Sequence, residues 1–176
     1  PAVITNCSNN YGPYQLPEKL IPLAIANALA GARIPVYGRG DHVRDWIYVT
    51  DHCAALRAVL ARGRLGETYL IGARTERTNL DVVHAICDVL DELRPRADGA
   101  SYREQIELVP DRPGHDFRYA IDPTKLEEEL GWRPQVAFVD GLRRTISWYL
   151  ANPVWTAAID PATYRERRGL GALVDD

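Results

Sequence analysis

The chain has none of the short patterns by which dinucleotide-binding or nucleotide-hydrolysing proteins announce themselves. No Gly-x-x-x-x-Gly-Lys-[Ser/Thr] occurs, and the two partial glycine patterns, Gly38-Arg39-Gly40 and Gly169-Leu170-Gly171, carry Val43 and Val174 where a third glycine is needed. Neither follows a strand and opens a long helix, the context in which backbone N–H groups cradle pyrophosphate, so both read as turns. A Tyr-x-x-x-Lys base is also missing, the nearest approach being Tyr164 with Arg168. Among His42, His52, His84 and His115 none is spaced from a nucleophile or carboxylate so as to define a triad, and His84 reads as structural within a long helix. Cys7, Cys53 and Cys87 form no Cys-x-x-Cys or Cys/His ligand spacing. They predict buried thiols in a reducing cytoplasm, with neither a disulfide framework nor a metal site.

Other absences bound the setting. No apolar run approaches the roughly 20 residues of a membrane span, and no basic segment followed by an apolar stretch opens the chain. A formal net charge of −3 supplies no field for nucleic acid or an anionic surface. No repeat or low-complexity tract appears. These readings predict a cytoplasmic protein with no nucleic-acid or membrane partner.

What is present suits one globular domain, because 176 residues with 46% hydrophobic content can bury a real core. Pro1 to Thr5 reads as an apolar strand at the very start, and such a strand in a parallel sheet needs neighbours on both sides, which suggests a chain continuing upstream. Asn9 to Gly12 reads as a polar turn. Pro17 opens an apolar helix through Leu20, Leu23, Ala24, Ala28 and Leu29 that stops at Gly31. Ile34 to Tyr37 and Asp45 to Val49, joined by Gly38-Arg39-Gly40-Asp41, predict a β-hairpin. Thr50 or Asp51 is placed to cap the next helix, whose apolar face comprises Ala54, Ala55, Leu56, Val59 and Leu60 before Gly63.

Thr68 to Gly72 reads as a strand, and a strong helix follows over 79–94. There Thr78 with Asp81 approximates a capping box, and Leu80, Val83, Ile86, Cys87, Leu90 and Leu93 recur at helical spacing. Beyond a polar loop from Pro95 to Ser101 come a strand at Ile106 to Val109, a short helix capped by Asp122-Pro123 and closed by Gly131, and a helix over 139–151. From Asn152 the tail is less periodic. The pattern is a mixed α/β domain over 1–151 with a carboxyl-terminal tail over 152–176.

Two groups of residues stand out against that background. Asn9 and Asn10 lie just past a strand, where ligands of open α/β sheets sit, and their amides can donate to sugar hydroxyls or carbonyls. Arg44 before a strand, Arg112 in the loop Asp111-Arg112-Pro113-Gly114-His115-Asp116 and Asn79 at a helix start form a phosphate clamp if the fold brings them together.

With Cys7-Ser8-Asn9-Asn10-Tyr11-Gly12-Pro13-Tyr14, Pro17 to Pro22, Tyr37-Gly38-Arg39-Gly40, Arg44-Asp45-Trp46-Ile47-Tyr48-Val49 and the Asp111 to Asp116 loop in this order, the chain closely resembles the dTDP-glucose 4,6-dehydratase family. That family belongs to the extended short-chain dehydrogenase/reductase group, with an NAD(P)-binding Rossmann-like fold. The resemblance runs from residue 1 to about Leu150 and covers only the family's carboxyl-terminal half, comprising the last Rossmann-type strand segment and the substrate-binding domain.

The resemblance implies substrate-binding roles for Asn9, for Lys19 and Leu20 in the sugar-nucleotide pocket, and for Pro35, Val36 and Tyr37 around a thymine base. It implies the same for Arg44 and Asn79 at pyrophosphate and nucleotide, and for Asp111, Arg112, Pro113, Gly114 and His115 in a closing loop. Asn10 would approach the nicotinamide end of NAD. The implied partners are a dTDP-sugar, an amino-terminal Rossmann half and a second copy in a homodimer. The family's Gly-rich loop, Asp-Glu pair and Tyr-x-x-x-Lys base match nothing here, so no catalytic residue is assigned and the chain alone is expected to be inactive. A UDP-sugar epimerase or decarboxylase of the same fold group and a non-catalytic nucleotide-sugar module are the alternatives.

Overall fold

The computed structural model describes residues 1–157. The Tyr164–Arg168 pair and the glycine pattern at 169–171 lie outside the described residues. The described chain runs β1 (Ile4–Cys7), β2 (Asn9–Tyr11), α1 (Leu20–Leu29), β3 (Ile34–Tyr37), β4 (Val43–Tyr48), α2 (Val49–Arg62), β5 (Thr68–Ile71), β6 (Glu76–Thr78), α3 (Asn79–Leu93), a 3-10 turn (Tyr102–Gln105), β7 (Ile106–Val109), β8 (Arg118–Tyr119), α4 (Thr124–Leu130), α5 (Phe138–Ala151) and α6 (Pro153–Ala157).

Three small sheets organise these elements. β1 pairs parallel with β5, Ile4 opposite Thr68 and Cys7 opposite Ile71. β3 pairs parallel with β7, Tyr37 opposite Val109. The third sheet is built on β4, which changes partners along its length: antiparallel β6 and parallel β8 flank Val43 and Arg44, while parallel β2 lies beside Trp46 to Tyr48.

The expected hairpin between residues 34–37 and 45–49 is therefore absent. Each of its strands instead pairs parallel with a strand distant in sequence, β3 with β7 and β4 with β2, which turns Ile34, Val36, Trp46 and Tyr48 into the main core. Asn9 to Tyr11, read as a turn, is a strand for the same reason: pairing with β4 outweighs the weak β-propensity of asparagine.

The helices largely follow their sequence signals. Thr78 caps α3, its hydroxyl accepting from the Asp81 backbone N–H at 3.1 Å, and the apolar face of α3 buries Val82, Val83, Ile86, Cys87, Val89 and Leu90. Asp122 Oδ1 accepts from Thr124 N, and Gly131 ends α4 in the left-handed region. Two expectations fail. α1 begins at Leu20, three residues past Pro17. α2 carries no side-chain cap, because the Asp51 carboxylate turns to the backbone N–H groups of Gln135 and Val136, each at 2.9 Å.

The main core gathers α1, α3, α5 and the sheet residues Tyr11, Ile34, Val36, Trp46 and Tyr48. A smaller one joins Ile47, α2, β5, α4 and Trp132. Leu60 of the expected α2 face is instead 90% exposed, and Leu56 is exposed as well. The cysteines are not uniformly buried either: Cys87 is, Cys7 is half-buried and Cys53 is exposed. No helix among the described residues is long and apolar enough to cross a membrane.

Candidate functional site

The turn between β3 and β4 is packed onto the start of α3. Leu80 N donates to Gly40 O at 3.0 Å and Asn79 N to His42 O at 2.9 Å, so the turn's carbonyls satisfy two of the helix's first N–H groups. A Cβ on Gly40 would meet Leu80 Cβ and Val36 Cγ1 at 2.8 Å, and its φ of +75° disfavours any side chain. This contact sets β4 against α3 and fixes where His42 and Arg44 emerge.

Arg44 is buried, and its guanidinium holds the neighbouring loop by its carbonyls. Nη2 donates to Asp116 O at 2.6 Å, and Nη1 to Val43 O at 2.7 Å and Phe117 O at 3.3 Å. Burial lowers its pKa, and the positive charge of Arg112 lowers it further against the pull of Asp116.

The loop is tied a second time at Asp111. Its Oδ1 accepts from Arg112 N at 2.9 Å and lies 2.8 Å from His115 Nδ1, while Oδ2 lies 3.1 Å from His42 Nε2. The His115 hydrogen bond, helped by the Arg112 N–H and the two imidazoles, holds the Asp111 carboxyl below its ordinary pKa. His115 stacks on His42 with ring centroids 3.7 Å apart, and Tyr37 meets His115 edge-on at 6.2 Å. Tyr37 stays 46% exposed, leaving a ring face open for stacking. Pro113 and Gly114, the latter at φ +69°, form the exposed loop tip.

A second group lies along β2 and the start of α1. Asn9 faces Trp46 in the ladder and Asn10 faces Ile47. Asn10 Nδ2 donates to Ser8 O at 3.1 Å and approaches Cys7 Sγ at 3.4 Å, while Gln15 Nε2 donates to Asn10 O at 2.8 Å. Three acceptors here are buried without a partner among the described residues: Asn10 Oδ1, Ser8 Oγ and Gln15 Oε1. Buried polar atoms are normally satisfied, and three orphans within one short stretch suit an amide-bearing ligand. Lys19 pairs with Glu18 at 2.9 Å, and Leu20 packs against the main core.

The residues singled out in sequence thus divide. Tyr37, Asp111 and His115 come together around His42, Arg44 holds the other end of the same loop through the Asp116 and Phe117 carbonyls, and Asn79 is joined to them through the backbone of His42, while Arg112 is placed there only by its backbone N–H on Asp111. Asn9 and Asn10 lie opposite positions two and three residues beyond Arg44 in β4, about 7 and 10 Å along the strand at ~3.3 Å per residue. That separation suits a diphosphate and a sugar ring end to end. Val36 points into the core, so only its backbone faces the turn. His42 was not among the candidates, yet it stands two residues before Arg44, and strand alternation places both on one face. Cavities of about 720 Å³, beside Arg57, Arg62, Trp132 and Arg133, and about 450 Å³, beside Asp45, Arg74, Glu76 and Arg118, include none of Arg44, Asn79 and Arg112. The three expected clamp residues therefore share neither cavity.

A family model described as GDP-mannose 4,6 dehydratase matches residues 1–145. The chain belongs to that family. Within this dehydratase family it is 57% identical over 174 residues to a dTDP-glucose 4,6-dehydratase of Xanthomonas campestris pv. campestris, covering 99% of the chain and 49% of the relative. The solved structure of DesIV, a dTDP-glucose 4,6-dehydratase from Streptomyces venezuelae with NAD bound, is 47% identical with a TM-score of 0.82, over 90% of this chain and 46% of that one. UDP-glucose 4-epimerase from Thermotoga maritima aligns at 25% identity with a TM-score of 0.76, over 86% and 46%. The fold class is that of the extended short-chain dehydrogenase/reductases, and the chain spans about half the length of the curated relatives it matches.

Proposed function

We propose that this chain supplies the sugar-nucleotide-binding part of a dTDP-glucose 4,6-dehydratase, an NAD-dependent hydro-lyase that converts dTDP-glucose to dTDP-4-keto-6-deoxyglucose. The observation that carries this reading is the paired restraint of the Asp111–Asp116 loop by Arg44 and His42, in a chain 57% identical to an enzyme of that name. Arg44 and Arg112 would take the diphosphate, with the Asn79 amide beside them, and Tyr37 with Pro35 and the Val36 backbone would line the base. Asn9, Lys19 and Leu20 would meet the sugar. Asp111, Pro113, Gly114 and His115 would close over the nucleotide.

Bound NAD would supply the acceptor and donor of hydride at the sugar. The unpartnered Asn10 Oδ1 and Ser8 Oγ fit the carboxamide of its nicotinamide end. No residue of this chain matches the family's acid–carboxylate pair or Tyr-x-x-x-Lys base, so its work is orientation and the exclusion of water. Oxidation at C4 acidifies the C5 proton and so permits loss of water across C5 and C6. The reaction then depends on the sugar being held still while hydride leaves C4 and returns at C6.

The partner in this reading is an amino-terminal Rossmann half. β1 has one edge paired with β5 and no second strand beside it among the described residues, and exposed Ile4, Leu56, Leu60 and Leu65 lie on this side of the chain or in its connections. A homodimer and a cytoplasmic setting belong to the same reading.

Competition binding to the full-length protein with dTDP-glucose, UDP-glucose and GDP-mannose tests it, with product formation followed by NMR. Preference for dTDP-glucose and appearance of the 4-keto-6-deoxy sugar are expected, with Arg44→Lys and Arg112→Ala each weakening binding about tenfold or more, the scale of a lost charged hydrogen bond. A clear preference for UDP-glucose would move the assignment to the epimerases and decarboxylases.

A further inference from the structure

We propose that His42, Asp111 and His115 form a binding site for a divalent transition-metal ion of the zinc or cobalt class, fastening the 111–116 loop to β4. It shares Asp111 and His115 with the loop that would close over the nucleotide, and its test is read without any sugar nucleotide present.

The donor set is the first reason. Two imidazoles and one carboxylate offer ligand atoms that all lie within 4.8 Å of one another. This His₂-carboxylate combination suits zinc and its neighbours, whereas magnesium and calcium prefer all-oxygen sets. Tetrahedral bonds of about 2.0–2.1 Å place ligand atoms about 3.3 Å apart. The two imidazole–carboxylate separations, 3.1 Å from His42 Nε2 and 2.8 Å from His115 Nδ1, are already close to that.

The state of His42 is the second reason. Its side chain is 7% exposed, Nε2 is aimed at the carboxylate, and Nδ1 is buried with no partner. No second contact locks the ring in the tautomer that keeps a proton on Nε2, so that nitrogen can present its lone pair to a metal.

One adjustment is required. The rings are stacked at 3.7 Å with planes 16° apart, and an ion lying in both ring planes needs them to fan open. Both imidazoles are covered, His115 at 5% and His42 at 7% side-chain exposure, so the opening has to come from the backbone of the loop, where Gly114 at φ +69° and the exposed Pro113 adjoin His115. The fourth coordination position is left for water.

Chelator-treated, tag-free full-length protein titrated with Co²⁺ tests the site. Expected are one ion per chain, the visible absorption of tetrahedral cobalt, and its loss on adding Zn²⁺. Asp111→Asn and His115→Gln, each checked for its fold by circular dichroism, should weaken Co²⁺ binding at least tenfold. His42→Gln should do the same if circular dichroism shows it folded. Cys53→Ser removes the exposed thiol that is the obvious rival ligand, and it should leave the spectrum unchanged. The proposal is overturned if no cobalt absorption appears, if it survives both loop substitutions, or if Cys53→Ser abolishes it.

Discussion

The two cores of this molecule are built on different terms. Around α3 the chain is closed on itself: α1, α5, β3 and β4 cover Ile86, Leu90 and Val83 completely, and Thr78 and the Gly40 turn complete the helix start. Around α2 it is not, for the helix buries Ala55, Ala58 and Val59 on one side while Leu60 stands 90% exposed, and β1 pairs along one edge only. The difference teaches that apolar periodicity reports which side chains want cover, and only the fold says which have found it.

Substitutions that probe both cores would sharpen or break this contrast. Ile86→Ala should cost about 2–5 kcal/mol in chemical denaturation, the usual range for a buried large-to-small change, whereas Leu60→Ala should stay within about 0.5 kcal/mol. Equal losses would erase the distinction.

Thiol labelling offers the next largest effect. Burial pushes the Cys87 thiol up to about 12, so it stays protonated through pH 8 and only about one molecule in 10⁴ is thiolate there. Cys53 should therefore be alkylated at least a hundredfold faster than Cys87 in an isolated 176-residue chain. Slowing of Cys53 in the full-length protein would mark α2 as covered.

Asp51→Ala removes the acceptor shared by the Gln135 and Val136 N–H groups and should cost about 1–3 kcal/mol by thermal or chemical unfolding. Thr78→Ala should cost about 1 kcal/mol, the ordinary value of an N-cap. A Thr78 loss larger than the Asp51 loss would show that the smaller core leans less on its polar tie than the geometry indicates.

Local signals carried the helices and little of the pairing. α3 and α4 are legible because polar residues at their starts and helical periodicity lie within one or two turns of each other, and α5 is legible from its periodicity alone. The partners of β3 and β4 are not, since Tyr37 meets Val109 and Trp46 meets Asn9 across dozens of residues that no local pattern connects. The candidate site shows the same division. Arg44, Arg112 and His115 stand out as residue types in turn-rich segments, and their meeting depends on β8 bringing residues 116–119 beside β4. His42 escaped notice because a lone histidine before a strand has no local mark, although its two-residue step from Arg44 gives its direction.

The exchange of partners along β4 has a consequence for how such a protein can change. A one-residue insertion within Val43–Tyr48 would invert the facing of Arg44 and of the aromatic residues after it, and would unseat β2, β6 and β8 together. An insertion at the exposed Pro113–Gly114 tip touches no ladder. Lineages of this fold are therefore free to lengthen the 111–116 loop, while β4, held in three ladders at once, tolerates no such change of length.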